Sequence, residues 1–198
     1  QRSVTVVLQK IGTPVLPLLI SGLKEKESRP GVVGAMGRMG AFGVPALISA
    51  VKDSATRPGA VEALCRIGQP ATAPLISALK DSAARPGVVE ALCRMGAPAV
   101  PSLFTALGDP IVWEQAVTEL KKMDEPVTVL SGLQSTGTAE RAVLLLAAVG
   151  QPMVPPLIRA LYRADISSGA VRALIRIGQP SISPLIAVLP ESAVQERA

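Results

Sequence analysis

Histidine is missing from all 198 residues. That alone removes Ser-His-Asp and Cys-His catalysis and every histidine-bearing zinc site. Aromatic side chains are nearly missing too: two Phe, one Tyr and the single Trp113. The 48% apolar content therefore comes from Ala, Leu, Val and Ile, which predicts a helical protein with thin core layers. The two cysteines form no CxxC motif and cannot build a disulfide framework. Long unbroken apolar runs are absent as well. The best uncharged stretch, residues 142–158, contains Gly150, Pro152, Pro155 and Pro156 and makes a poor membrane-spanning helix. No signal-peptide pattern is present, so a cytoplasmic location is expected. The chain opens on Gln1 rather than Met, which leaves room for a removed leader or a larger N-terminal part.

Charge is not extreme either. Twenty basic residues against 15 acidic ones give +5, which permits an anionic partner without requiring one. The chain is too apolar for a disordered segment.

What the sequence does have is a repeat. Lys10-Ile11-Gly12 recurs as Arg38-Met39-Gly40, Arg66-Ile67-Gly68, Arg94-Met95-Gly96 and Lys122-Met123-Asp124, each 28 residues on. Ala148-Val149-Gly150 follows after 26 residues, and Arg176-Ile177-Gly178 after another 28. Arg29-Pro30-Gly31, Arg57-Pro58-Gly59 and Arg85-Pro86-Gly87 keep the same spacing. A fixed period of this length is the mark of a solenoid. The reading is one domain over 1–198. It comprises a lone helix over 2–11, units at about 12–39, 40–67, 68–95, 96–123, 124–149 and 150–177, and a partial unit over 178–198.

Each unit reads as two short helices. Helix A starts after the glycine, with proline (Pro14, Pro70, Pro98, Pro126, Pro152, Pro180) in a first turn that needs no N–H. A second proline (Pro17, Pro74, Pro101, Pro184) should bend or shorten it. Its apolar face repeats as Leu19/Ile20, Leu47/Ile48, Leu75/Ile76, Leu103/Phe104, Leu157/Ile158 and Leu185/Ile186. Helix B follows a turn such as Lys80-Asp81-Ser82-Ala83. Its inward residues are Val88/Val89, Leu92 and Met95, repeated at Val61, Leu64 and Ile67 and at Val171, Leu174 and Ile177, the helical period. The glycine then ends helix B in a left-handed conformation. Residues 2–11 read as a bare helix B through Val4, Leu8 and Ile11, and Glu191-Ser192-Ala193-Val194 as a turn into another. Neither end shows a polar cap, so a longer array or end-to-end self-association is expected.

The combination of Leu79-Lys80-Asp81-Ser82, Arg85, Glu90-Ala91-Leu92, Arg94-Met95-Gly96 and the following Pro98 resembles HEAT repeats, in particular the short bacterial phycobilisome-lyase-like kind, over essentially the whole chain. The resemblance implies an all-α, right-handed α-α superhelix of HEAT-like hairpins, about 28 residues each. It also implies an Asp–Arg ladder through Asp53, Asp81, Arg57 and Arg85. That ladder should break in the second half, where Trp113, Ala139 and Ser167 hold the arginine position, and the 26-residue unit should disturb the superhelix.

The candidate binding residues lie on helix B. Six of the seven residues two before the repeat glycine are basic: Lys10, Arg38, Arg66, Arg94, Lys122 and Arg176, with Ala148 the exception. Such a row, on what the resemblance makes a concave face, could hold an acidic peptide or a polyanion. The competing reading is helix stabilisation, since Glu62–Arg66 and Glu90–Arg94 are i,i+4 pairs and cations suit a last helical turn. Gly34 and Thr118 stand where Arg38 and Lys122 would find partners, leaving those two less neutralised. Trp113 reads as a groove or core residue, and as an interface anchor if exposed. Cys65 and Cys93 share one repeat position and read as small packing residues, with a reactive thiol as the alternative because an arginine follows each. Asp53, Asp81, Asp109 and Asp165 read as turn or capping acids. No metal or cofactor is expected.

The expected function is a non-catalytic scaffold or adaptor that binds a partner protein through Arg38, Arg66, Arg94 and Lys122, with Glu62, Glu90 and Trp113. The family resemblance also implies an alternative, a phycobilin-lyase-like subunit. Nucleic-acid binding is a lesser one, because single-strand binders interleave cations with stacking aromatics.

Overall fold

The computed structural model describes residues 13–124 and 126–188. The expected leading helix over 2–11, with Lys10, and the turn at Glu191-Ser192-Ala193-Val194 lie outside the described residues. Within them the chain is all-helical, with no strand.

The helices alternate between two layers. One holds the A helices: α1 (Leu16–Gly22), α3 (Val44–Ala50), α5 (Gln69–Ala78), α7 (Val100–Ala106), α9 (Val127–Ser131), α11 (Val154–Leu161) and α13 (Ile182–Ala187). The other holds the B helices: α2 (Arg29–Met39), α4 (Arg57–Ile67), α6 (Arg85–Arg94), α8 (Pro110–Leu120), α10 (Ala139–Val149) and α12 (Ser167–Ile177). Each B helix packs on the next, α2 on α4 through to α10 on α12. The A helices do likewise, except that α9 barely touches α11. Helices this short are marginal alone; here each is held by burying one apolar stripe between the layers. Leu47, Leu75, Leu103 and Leu157 from the A layer and Val61, Leu64, Val89 and Leu92 from the B layer are fully buried. Complete burial of one such side chain is worth about 1.5–3 kcal/mol.

Prolines shape the A helices as their chemistry requires. Pro17 and Pro101 stand in the first turn of α1 and α7, each preceded by a 3-10 turn. Pro74 instead lies inside a continuous α5. It removes the bond to the Pro70 carbonyl, and both residues are exposed, so water can replace that bond.

Among the described residues five glycines close B helices with positive φ, from 62° at Gly40 to 81° at Gly96. Their ψ values, from −133° at Gly178 to −152° at Gly96, correct the left-handed helical expectation. This is the mirror image of extended backbone, which a Cβ excludes even more strictly than the left-handed helix. Asp124 cannot follow, and no described non-glycine residue has positive φ. Helix α8 accordingly stops at Leu120, and Lys121–Met123 leave through turns closed by Lys122 N–H to Glu119 O and Met123 N–H to Leu120 O. The next A helix, α9, is left with five residues. The irregularity expected of the 26-residue unit thus begins at the missing glycine.

The turns from A to B are closed by side chains. Arg29, Arg57 and Arg85 donate Nε to the carbonyls of Leu23, Val51 and Leu79 at 2.9, 2.8 and 2.9 Å. One residue earlier, Ser28 and Thr56 donate their hydroxyls to the carbonyls of Gly22 and Ala50, and Thr138, before Ala139, does the same for Gly132. Both contacts serve carbonyls at the end of an A helix, beyond the reach of its own ladder.

This arrangement corrects the expected Asp–Arg ladder. The arginines are engaged with backbone, and the acids reach the preceding unit's lysine instead: Lys24–Asp53 at 3.3 Å and Lys52–Asp81 at 2.6 Å. Asp53 and Asp81 also accept from the N–H groups of Ala55 and Ala83. Asp109 caps α8 through the Ile111 N–H at 2.8 Å. Asp165 resumes the cross-unit contact further on by accepting from Gln134.

The uncharged run 142–158 does not form one helix: it crosses from α10 into the following helical segment with a bend of 119°. The stretch Arg29–Ala50 is long and apolar enough to cross a membrane, with mean hydropathy 1.4, but it carries Arg38 and turns at Gly40.

Candidate functional site

The B layer presents the predicted cations on successive helices. Arg38, Arg66, Arg94, Lys122 and Arg176 are all exposed. The glycines of α2 make room for the arginine stems. A Cβ on Gly37 would stand 3.1 Å from the Cβ of Arg66, and one on Gly34 would stand 3.5 Å from an Arg38 guanidinium nitrogen.

These cations are not a bare positive stripe. Arg66 pairs with Glu62 at 3.2 Å and Arg94 with Glu90 at 3.2 Å. Lys122 pairs with Glu119 at 3.0 Å, which corrects the expectation that it is less neutralised. Its partner lies three residues back instead of four. Arg172 and Arg176 both reach Glu140 on the neighbouring helix, at 3.2 and 3.3 Å. The B face therefore carries both signs, close together.

Glu119 has no counterpart in the sequence reading. It is buried in α8 at a position held by Ala35, Ala63 and Ala91 in earlier units. Gln115 Nε2 donates to it at 2.9 Å and Lys122 at 3.0 Å, so the buried charge has partners. Its signal was available: an acid on a register that holds alanine, or leucine at Leu145, in every other described unit.

A groove of about 390 Å³ crosses the B helices, lined by Arg29, Pro58, Glu62, Cys65 and Arg94. It joins three of the singled-out residues, Glu62, Arg94 and Cys65. Arg38, Arg66, Glu90, Lys122 and Trp113 stand outside its lining. Trp113 is half-buried against the core, as a groove or core residue rather than an exposed anchor. It is also not the first residue of its helix: α8 begins at Pro110.

The thiols are unsuited to nucleophilic work. Burial pushes the Cys65 thiol up to about 11, outweighing the Arg94 charge beside it. Cys93, wholly buried, is pushed up to about 12 by burial first and then by Glu119 and Glu90. The adjacent arginines thus fail to favour the thiolate, and the packing reading stands. Among the described residues no three Cys, Asp or Glu side chains converge in a way that could hold a metal ion.

No protein-family model, curated protein or solved structure matches this chain.

Proposed function

We infer that this chain is a non-catalytic scaffold, a right-handed superhelix of HEAT-like hairpins that holds a segment of a partner protein along its B face. The observation that carries the reading is the groove across the B helices, where Arg94, Arg29 and Glu62 surround a recess floored by Cys65 and Pro58. Ordered stacking of B helix on B helix gives such a groove a continuous surface on either side. The Arg66–Glu62 pair beside it is half-exposed and cheap to exchange, about 0.2–1 kcal/mol. A partner carboxylate can therefore take the place of Glu62 at little cost while its apolar side chains fill the recess. The partner is accordingly a protein segment with carboxylates spaced to meet Arg38, Arg66, Arg94 and Lys122.

The test is a nuclease-treated pull-down comparing wild type with a variant carrying Glu at Arg38, Arg66, Arg94 and Lys122. Circular dichroism would first establish that both fold. Loss of a bound protein in the variant supports the B face as the binding surface. Retention by both moves the site elsewhere, and the reading fails.

A further inference from the structure

The A layer carries one groove twice. Between α1 and α3 it is lined by Pro17, Ile20, Ala46 and Ala50, and between α9 and α11 by their repeat counterparts Val127, Leu130, Pro156 and Ala160. The charged residues differ. In the first groove Lys24 and Asp53 pair with each other at 3.3 Å, with Ser49 also in the lining. In the second, Gln134 stands in the place of the lysine, Arg159 in that of the serine and Arg163 in that of the aspartate. Neither arginine has a counterpart in another unit. The register of Arg159 otherwise holds Ser21, Ser49, Ser77, Thr105, Ser131 and Ala187, and that of Arg163 holds Glu25, Asp53, Asp81, Asp109, Ser135 and Glu191.

The second groove is a pocket of about 150 Å³ whose described lining is apolar except for these two cations, and no acid is part of it. It stays open because α9 has only five residues and barely touches α11. Both guanidinium groups are held at its edge. Arg159 donates to the Asp124 carbonyl at 3.2 Å. Arg163 pairs with Asp165 at 2.9 Å, half-exposed on both sides, a contact of little net strength. Asp165 also accepts from Gln134, so it keeps a partner when Arg163 turns to another carboxylate. A pocket of this volume admits a benzene-sized apolar group, and guanidinium groups select a carboxylate over a neutral head.

We propose that this pocket binds a small organic acid, with an apolar ring or chain of about six carbons between α9 and α11 and its carboxylate on Arg163 and Arg159. The site belongs to the A layer and is independent of the partner segment assigned to the B face. The α1–α3 groove, where Lys24 and Asp53 neutralise each other, takes no such ligand.

Benzoate is the probe, titrated into the isotope-labelled full chain and followed through its amide resonances. Shifts at Leu130, Ala160 and Ile166 are expected, with a dissociation constant on the order of 1 mM for so small a ligand. Benzamide, of the same size without the charge, should bind about tenfold more weakly or worse. The same loss is expected for benzoate on Arg163→Asp, which restores the acid of other units. Arg163 is exposed, so circular dichroism should find that variant folded. A wild type without shifts at about 20 mM benzoate overturns the proposal. So do benzamide binding as tight as that of benzoate, an Arg163→Asp variant that binds like the wild type, or shifts confined to residues outside the pocket.

Discussion

Gly31 and Gly87 occupy the third position of helices that begin with the same five residues, Arg-Pro-Gly-Val-Val. Alanine at either gains the same intrinsic helix preference, up to about 1 kcal/mol. Their surroundings differ. A Cβ on Gly31 meets nothing within 4 Å, whereas one on Gly87 would lie 2.6 Å from the Cβ of Val51 and 3.0 Å from its carbonyl oxygen. Neither atom is the tip of a flexible side chain, so α6 must move by roughly 1 Å against the preceding unit, an overpacking cost of about 1–3 kcal/mol. Gly31→Ala should therefore be neutral or stabilising and Gly87→Ala destabilising, with the two separated by that overpacking cost, about 1–3 kcal/mol. For a chain of this length that is about 2–12 °C in Tm, measured by circular dichroism melting with urea unfolding as a check. Gly59→Ala should fall between them, because its nearest atoms are the Leu23 Cδ2 at 3.0 Å and the Arg29 Cγ at 3.2 Å, both mobile. Equal shifts for Gly31→Ala and Gly87→Ala would refute the close approach of successive units.

Thr128 is wholly buried, and its hydroxyl stands between the Leu92 carbonyl and the Gly96 N–H, 2.7 Å from each. Thr128→Val should cost about 2–4 kcal/mol by stranding both groups, and Thr128→Ser only about 1 kcal/mol for the lost methyl; a Ser variant less stable than the Val variant in urea unfolding contradicts this. The thiols should resist modification at pH 8. With its pKa pushed up from 9.0 to about 11, Cys65 should react about 100-fold more slowly with a disulfide reagent than an exposed thiol, and the wholly buried Cys93 only on unfolding. Because folding favours the neutral thiol, this contribution is complete below pH 9 and is lost as pH rises from 9 through 11, so Cys65→Ala should flatten the alkaline fall in Tm. Asp53 and Asp81 are held below the usual 3.8, Asp53 chiefly by the Ala55 N–H and then by Lys24, Asp81 chiefly by Lys52 and then by the Ala83 N–H. Their contribution is present above pH 4 and lost as pH falls below it, and a Lys24→Met, Lys52→Met variant should show a smaller acid drop in Tm. In the core, Leu92→Ala should cost ~2–5 kcal/mol and Arg94→Ala well under 1 kcal/mol; equal losses would mean the faces of α6 are misassigned.

The 28-residue period of glycine, proline and aliphatic pairs determined by itself that the chain is helical, where the glycine-ended B helices stop and most of the buried residues, though Val171 and Ile186, expected inward, are exposed. Each of these follows from local rules. Proline suits a first turn, only glycine accepts the backbone at Gly68 or Gly178, and Val61 and Leu64 fall on one side of α4 as Val89 and Leu92 do on α6. The charge assignments were not legible in the same way, because they depend on reach. Arg57 and Arg85 follow Asp53 and Asp81 by only four residues, yet the guanidinium finds a nearer carbonyl and the carboxylate finds the lysine of the unit before. Lys122 found Glu119 because α8 is set differently once Asp124 replaces glycine. Thr128 could not be foreseen at all, since its partners lie 32 and 36 residues away. The period therefore determined the elements and their buried sides. Only the packing of one unit on the next decided which polar groups meet, since those contacts are fixed to within an ångström by distances between helices that no local pattern records.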